Sequence, residues 1–210
     1  MKEDNMILNL GCGKLKIKNV VNIDCTSENT VADEIVDLGN FPWKWKDNSI
    51  DGIYLTHVLE HFPRNMTSQV LKECHRILKI GGFLHIQVPH SSDIRAVGEI
   101  EHYRTFCYGA ISNGLTHGRT FHFPKDESLF KDIIKERINW IKIPNNTKHP
   151  YMEIDRDFPM TNHKILFFIS RALSPVINFL INISPVIFER VWCYWIGGAE
   201  EILWRGEKIK

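Results

Sequence analysis

The sequence has no C-x-x-C pair, no G-x-x-x-x-G-K-[ST] phosphate loop, no internal repeat and no low-complexity tract. The five cysteines are odd in number, so a disulfide framework or a zinc ribbon is not expected, and reduced thiols are. Without the phosphate loop, the common cradle for nucleotide phosphates is missing. Neither charge is in excess: 26 Lys and Arg against 25 Asp and Glu leave a formal net charge of +1. A dedicated nucleic-acid binder would carry a basic surplus, so nucleic acid is not an expected partner. The start of the chain (Met1-Lys2-Glu3-Asp4-Asn5) has no long apolar h-region and no small-residue cleavage site. No signal peptide is expected there, and the expected location is cytoplasmic.

What is present fits one α/β domain. The 210 residues, 43% of them hydrophobic, are enough for a single domain over 1–210 with a real core. Met6 to Leu10 reads as a buried strand running into Gly11-Cys12-Gly13, and Val20 to Asp24 as a second strand closed by an acid. Asp33 to Asp37 is a weaker third, Asp51 to Leu55 a fourth, and Phe83 to Val88 a fifth introduced by Gly81-Gly82. Between the last two, Met66, Val70, Leu71, Cys74, Ile77 and Leu78 recur at helical spacing. Further on, Cys107 to Gly114 is expected to form a short helix. Glu136 to Ile143 and Ile202 to Ile209 are expected as strands. Short apolar strands that end on glycine or an acid predict a mostly parallel sheet. Ligands of such sheets sit beyond the carboxyl ends of the strands. Gly11, Gly13, Asp24, Asp37 and the segment around His57 all fall there.

Gly11 and Gly13 permit a sharp turn and a close backbone approach. A dinucleotide fingerprint would require a third glycine where Lys16 stands. Asp24, at the end of the second strand, is placed to accept the hydroxyls of a ribose. Asp37, one strand further, is placed to accept from an exocyclic adenine amine. Loop or cap roles for both acids are the plainer alternative. A glycine loop with two such acids and no phosphate device describes S-adenosylmethionine.

The runs LNLGCG, VNID, VDL, SIDGIYLTHVLEHF and RILKIGGFLHIQVP resemble class I S-adenosylmethionine-dependent methyltransferases of the type 11 group, over about residues 6–110. That resemblance implies a Rossmann-like fold, with a mostly parallel sheet, an antiparallel last strand and S-adenosyl-L-methionine as cofactor. It implies that Leu10, Gly11, Cys12 and Gly13 hold the methionine part, Asp24 the ribose, and Asp37 with Leu38 the adenine. Thr56 and His57 would border the cofactor from the fourth strand. The segment Glu101-His102-Tyr103-Arg104-Thr105-Phe106 is similar to a motif seen in some members. In one respect the chain departs from the group: only Gly11 to Asn19 separates the first two strands, too little for a full crossover helix.

His57-Val58-Leu59-Glu60-His61 also matches the H-x-x-E-H pattern of one class of zinc peptidase. The pattern follows a strand directly and Pro63 follows soon after, leaving room for about one helical turn. No metal ligand is therefore expected. His61, His90 and His102 are the candidates to orient or deprotonate an acceptor hydroxyl.

Pro144 to Gly198 reads as an inserted helical lid. Within it, Ile165 to Phe188 has a single charge, Arg171. Arg171, Ser174, Asn178, Asn182, Pro185 and Glu189 form a narrow polar stripe, and Pro175 and Pro185 are expected to divide the segment into short helices. A lid over the substrate is the first expectation for 165–188, and a peripheral membrane contact the second. The expected function is methyl transfer to a small molecule or glycan, at oxygen. A non-catalytic module that binds the same cofactor is the alternative.

Overall fold

Seven strands form one sheet in the order β3-β2-β1-β4-β5-β7-β6 in the computed structural model, which describes residues 5–116, 128–139, 164–193, 199 and 201–210. The strands are β1 (Ile7–Leu10), β2 (Val21–Asp24), β3 (Glu34–Ile35), β4 (Ile50–Thr56), β5 (Leu78–Pro89), β6 (Phe130–Asn139) and β7 (Glu201–Lys208). The first five are parallel. β7 runs antiparallel between β5 and β6. This is the mostly parallel sheet expected from the strand pattern, with the Rossmann-like order and reversed last strand that the resemblance implies.

The helix predicted around Met66 to Leu78 is α1 (Arg64–Ile77), which buries Val70, Leu71, Cys74 and Ile77 against the sheet. Its outer side is tied to the loop before β4. Arg76 donates to the Trp43 and Trp45 carbonyls at 3.1 and 2.9 Å, and Glu73 accepts from the Trp43 amide at 2.7 Å. The loop before it holds a single 3-10 turn at Leu59–His61, so H-x-x-E-H lies on no long helix. After β5 come α2 (Ile94–Gly98) and α3 (Ser112–Leu115), the latter shorter than the Cys107–Gly114 expectation.

No helix joins β1 to β2. In its place, buried Asn9 and Asn22 organise the link. Asn9 Nδ2 donates to Leu15 O and Asn22 Oδ1. Asn22 Nδ2 donates to Ile17 O, Val20 O and Asp33 Oδ2, while Asn22 Oδ1 accepts from the Ile17 amide. Side-chain amides thus satisfy loop backbone that a helix would have satisfied internally. Asp33 also pairs with Lys16 at 2.9 Å. Hydrogen bonds from Asn22, then Lys16, hold its carboxyl down at about 2.

Two sequence expectations shift. β6 begins at Phe130 rather than Glu136, and Trp140 to Ile143 lies outside the described residues. Two irregularities in its pairing with β7, at Asp132/Ile134 and Ile134/Arg137, break the two-residue period that would have marked it. Pro175 does not divide the inserted segment: α4 (Lys164–Ile183) runs through it, with the proline on an exposed turn. The break comes at Ser184, after which α5 (Pro185–Ile187) continues into a π-helical turn at Phe188–Trp192. The two pieces meet at 98°. The remaining lid residues, 144–163 and 194–198, lie outside the described residues.

The stripe on α4 is present, and its orientation is inverted relative to an ordinary amphipathic helix. Ser174 is buried, Asn182 donates to Ile138 O and accepts from the Ile138 amide at 2.7 and 2.9 Å, and Glu189 reaches into the sheet edge. Ile177, Ile181 and Phe188 join this inward side. Leu173, Val176, Phe179, Leu180, Ile183, Val186 and Ile187 face out. Among the described residues no single helix is long and apolar enough to cross a membrane.

Candidate functional site

In this strand order the direction of winding reverses between β1 and β4, and a crevice opens at their carboxyl ends. Gly11 and Gly13 leave β1 there with φ of +69° and +49°. The two glycines serve different ends. A Cβ on Gly11 would stand 2.5 Å from Val58 Cγ2, so Gly11 lets the turn after β4 pack against the loop. A Cβ on Gly13 would meet nothing within 4 Å. Beyond Gly13 there is room for a ligand against bare backbone.

Asp24 faces the same loop. Its Oδ2 accepts from the Gly13 amide at 2.7 Å and its Oδ1 from the Cys25 amide at 2.8 Å. A carboxylate offers about four acceptor positions, so these two amides do not exhaust it. Cys12, between the glycines, is buried. Burial, and then the nearby Asp24 charge, push its thiol up to about 11, so it is no nucleophile near neutrality. Leu10, the last residue of β1, is fully buried.

Asp37 caps its own turn, accepting from the Gly39 amide at 2.8 Å and Asn40 Nδ2 at 2.9 Å. It remains exposed, beside buried Leu38, whose carbonyl takes the Trp43 indole N–H. Thr56 closes β4 with a buried Oγ1 that has no hydrogen-bond partner among the described residues. This orphan and the open space over Gly13 are what an absent polar ligand would explain.

His57 follows, with φ of +55° and its amide donating to Gln87 O. Its Nδ1 lies 3.2 Å from Glu60 Oε1 and its Nε2 3.0 Å from Glu201 Oε1. Both acids are buried, and Gln87 Nε2 donates to the other Glu201 oxygen. A neutral imidazole donates only once. A ring carrying both protons would bond both carboxylates and serve as the countercharge of two buried acids. Glu201 and Gln87 escaped sequence reasoning because no motif marks them and the chain separation is long.

The three histidines singled out for the acceptor side do not meet at one point. His61 and His102 stack edge to face, ring centroids 4.8 Å apart. His90 is buried at the end of β5. Its Nδ1 accepts from the Ser92 amide at 3.1 Å, so Nε2 carries the proton and donates to Glu189 Oε1 at 2.9 Å. His90 thereby fastens the α4–α5 unit to the sheet. His117, His122, His149 and His163 lie outside the described residues.

Comparisons with known proteins agree with the fold. Residues 8–86 match a family model described as a methyltransferase domain. No curated protein matches the chain. Among solved structures, a SAM-dependent methyltransferase from Archaeoglobus fulgidus is 15% identical, with a TM-score of 0.56 over 99% of this chain and 87% of that one. A Haloferax volcanii complex of the Trm112 methyltransferase activator with a methyltransferase matches at 14% identity and a TM-score of 0.52, over 100% of this chain and 85% of that one. Phosphoethanolamine N-methyltransferase 2 of Haemonchus contortus, in complex with S-adenosyl-L-methionine, matches at 13% and 0.53, over 100% of this chain and 50% of that one.

Proposed function

We propose that the chain is a class I S-adenosylmethionine-dependent methyltransferase, a reading supported by the match of residues 8–86 to a methyltransferase-domain model and by the shared fold, and that it methylates a hydroxyl oxygen of a small molecule or glycan. The observation that carries the site is the loop at Gly13: bare backbone, open space and the Asp24 carboxylate at one strand edge. Leu10 to Gly13 would line the methionine part through backbone, Asp24 would take the ribose hydroxyls, and exposed Asp37 with Leu38 would border the adenine. Thr56 Oγ1 would gain the partner it lacks, and His57 would border the cofactor while its ring stays held between Glu60 and Glu201.

The cofactor supplies an electrophilic methyl group on a good leaving group. The chain's own task is to align an acceptor with that methyl and exclude water. His61 and His102, at the same edge of the sheet, are assigned to the acceptor side. His90 is assigned to positioning, since its Nδ1 is taken by Ser92 and its Nε2 holds Glu189 of the helical unit. The five cysteines are all free, which supports a reducing, cytoplasmic setting.

The outward apolar row on α4–α5 favours an acceptor presented at a membrane surface, such as a lipid-linked sugar, over a helix that only covers the site. Sedimentation with liposomes checks this: the protein is expected in the pellet, and Phe179→Ser with Leu180→Ser in the supernatant. Protein that stays soluble with every vesicle refutes it. For the cofactor site, Asp24→Ala is expected to keep the wild-type circular dichroism and lose detectable calorimetric binding of S-adenosylhomocysteine. Wild-type affinity in that variant overturns the assignment.

A further inference from the structure

We infer that Glu60, His61 and His102 form a binding site for a divalent transition ion, Zn²⁺ in the first instance. One ligand atom from each of the three lies within 4.8 Å of the other two. Their surroundings suit ligation. His61 Nδ1 faces Glu101 O at 3.3 Å and His102 Nδ1 faces Ala96 O at 3.2 Å. With a carbonyl opposite, each Nδ1 carries a proton, so Nε2 is the atom each ring can offer to a metal ion. Metal-bound histidines are oriented in this way, the distal N–H given to a carbonyl.

Glu60 supplies an independent observation. It is fully buried, its Oε1 is engaged by His57, and its Oε2 has no hydrogen-bond partner among the described residues. A buried carboxylate oxygen without a partner is costly, and a cation is one of the few groups that compensates it. His57 then stands behind the carboxylate as the group that orients it. The Tyr103 amide, donating to Glu60 O at 2.9 Å, ties the loop carrying His102 to the turn carrying Glu60 and His61.

Two imidazoles and one carboxylate make a three-ligand set that leaves coordination positions open, the arrangement of catalytic rather than structural zinc. Exposed Glu99, with Oε2 3.5 Å from His102 Nε2, is near enough to add a fourth oxygen. Drawing the three ligands to bonding distance needs movement of about 1 Å, which exposed His61 can supply. This is not the H-x-x-E-H site: His57 has both ring nitrogens engaged, by Glu60 and Glu201, and lies outside the converging trio, whose second histidine comes from the loop after α2. The ion would lie where β4 and β5 end, beside the proposed cofactor crevice, and would hold an acceptor oxygen. That role rests on the methyl-transfer reading, whereas ion binding does not.

The test is titration of the EDTA-treated, dialysed full chain with Zn²⁺ by calorimetry and with Co²⁺ by visible absorption. One equivalent is expected, with d–d bands of a low-coordinate nitrogen and oxygen site. His61→Ala and His102→Ala, each checked by circular dichroism, are expected to weaken binding about 100-fold or more. Cys25→Ser with Cys107→Ser, which removes the exposed thiols, is expected to leave it unchanged. No binding at micromolar Zn²⁺, equal binding by folded His61→Ala, or loss in the cysteine variant overturns the site. S-adenosylhomocysteine binding, measured on the same samples, reports separately on the cofactor assignment.

Discussion

Replacing each loop glycine by alanine separates packing from ligand contact. At Gly11 the new methyl would lie 2.5 Å from Val58 Cγ2. Carbon atoms pack at about 3.5–4.0 Å, so buried Val58 must retreat by about 1 Å or more. Overpacking of that kind costs about 1–3 kcal/mol. A side chain at φ of +69° adds about 1–2 kcal/mol. The sum is about 2–5 kcal/mol. At Gly13 the left-handed backbone remains, but nothing stands within 4 Å, so only the about 1–2 kcal/mol conformational cost applies. For a chain of this length each kcal/mol moves Tm by about 2–4 °C. Gly13→Ala is therefore expected to melt a few degrees low, and Gly11→Ala about twice as far below wild type. Calorimetry with S-adenosylhomocysteine then reads the other half. In Gly13→Ala the methyl enters the space assigned to the ligand, so affinity falls at least about tenfold, or about 1.4 kcal/mol. A folded Gly13→Ala protein with wild-type affinity refutes the cradle. Equal melting losses in the two variants refute the division of labour between the glycines.

Two further outcomes follow from side chains away from the crevice. The Asp33 carboxyl is held near 2 in the folded state, below its ordinary value, so its contribution to stability is complete above about pH 4 and is lost as the pH falls through the folded value. Urea midpoints measured from pH 5 to pH 2 are expected to fall more steeply for wild type than for Asp33→Ala; parallel curves refute the linkage. Lys208 is buried, with Nζ donating to Asn48 Oδ1, His75 O and Leu78 O at 2.8, 2.7 and 2.8 Å. Lys208→Met strands three acceptors and is expected to cost about 2–4 kcal/mol in urea unfolding; a change below about 0.5 kcal/mol refutes that account.

The part of the sheet nearest the crevice was legible because its signals are local. Ile7 to Leu10 and Ile50 to Thr56 are apolar runs bounded by turn residues, and α1 repeats its apolar positions at 3.6-residue spacing. The short link between β1 and β2 was legible from length alone. What replaces the helix was not, because Asn9 and Asn22 sit inside apolar runs and only the fold shows what their amides bond. The His57–Glu201 contact was hidden for a related reason: its partners are distant in sequence and neither belongs to a motif with the other. On α4 the polar stripe is legible in the sequence, but the side it faces is not. A polar stripe is ordinarily assumed to face water, and here Asn182 and Glu189 have better partners in the edge strand and beside His90.

The place of β7 between β5 and β6 bears on how the protein is made. During translation the ribosome delivers β5 and β6 well before the strand that must lie between them. Until the stretch through Lys208 emerges, the nascent β5 has one side without a neighbour, and Leu84, Ile86 and Val88 lie along it. Such an edge is a template for joining other chains. Completing the sheet therefore means inserting a strand between two others rather than adding one at an edge.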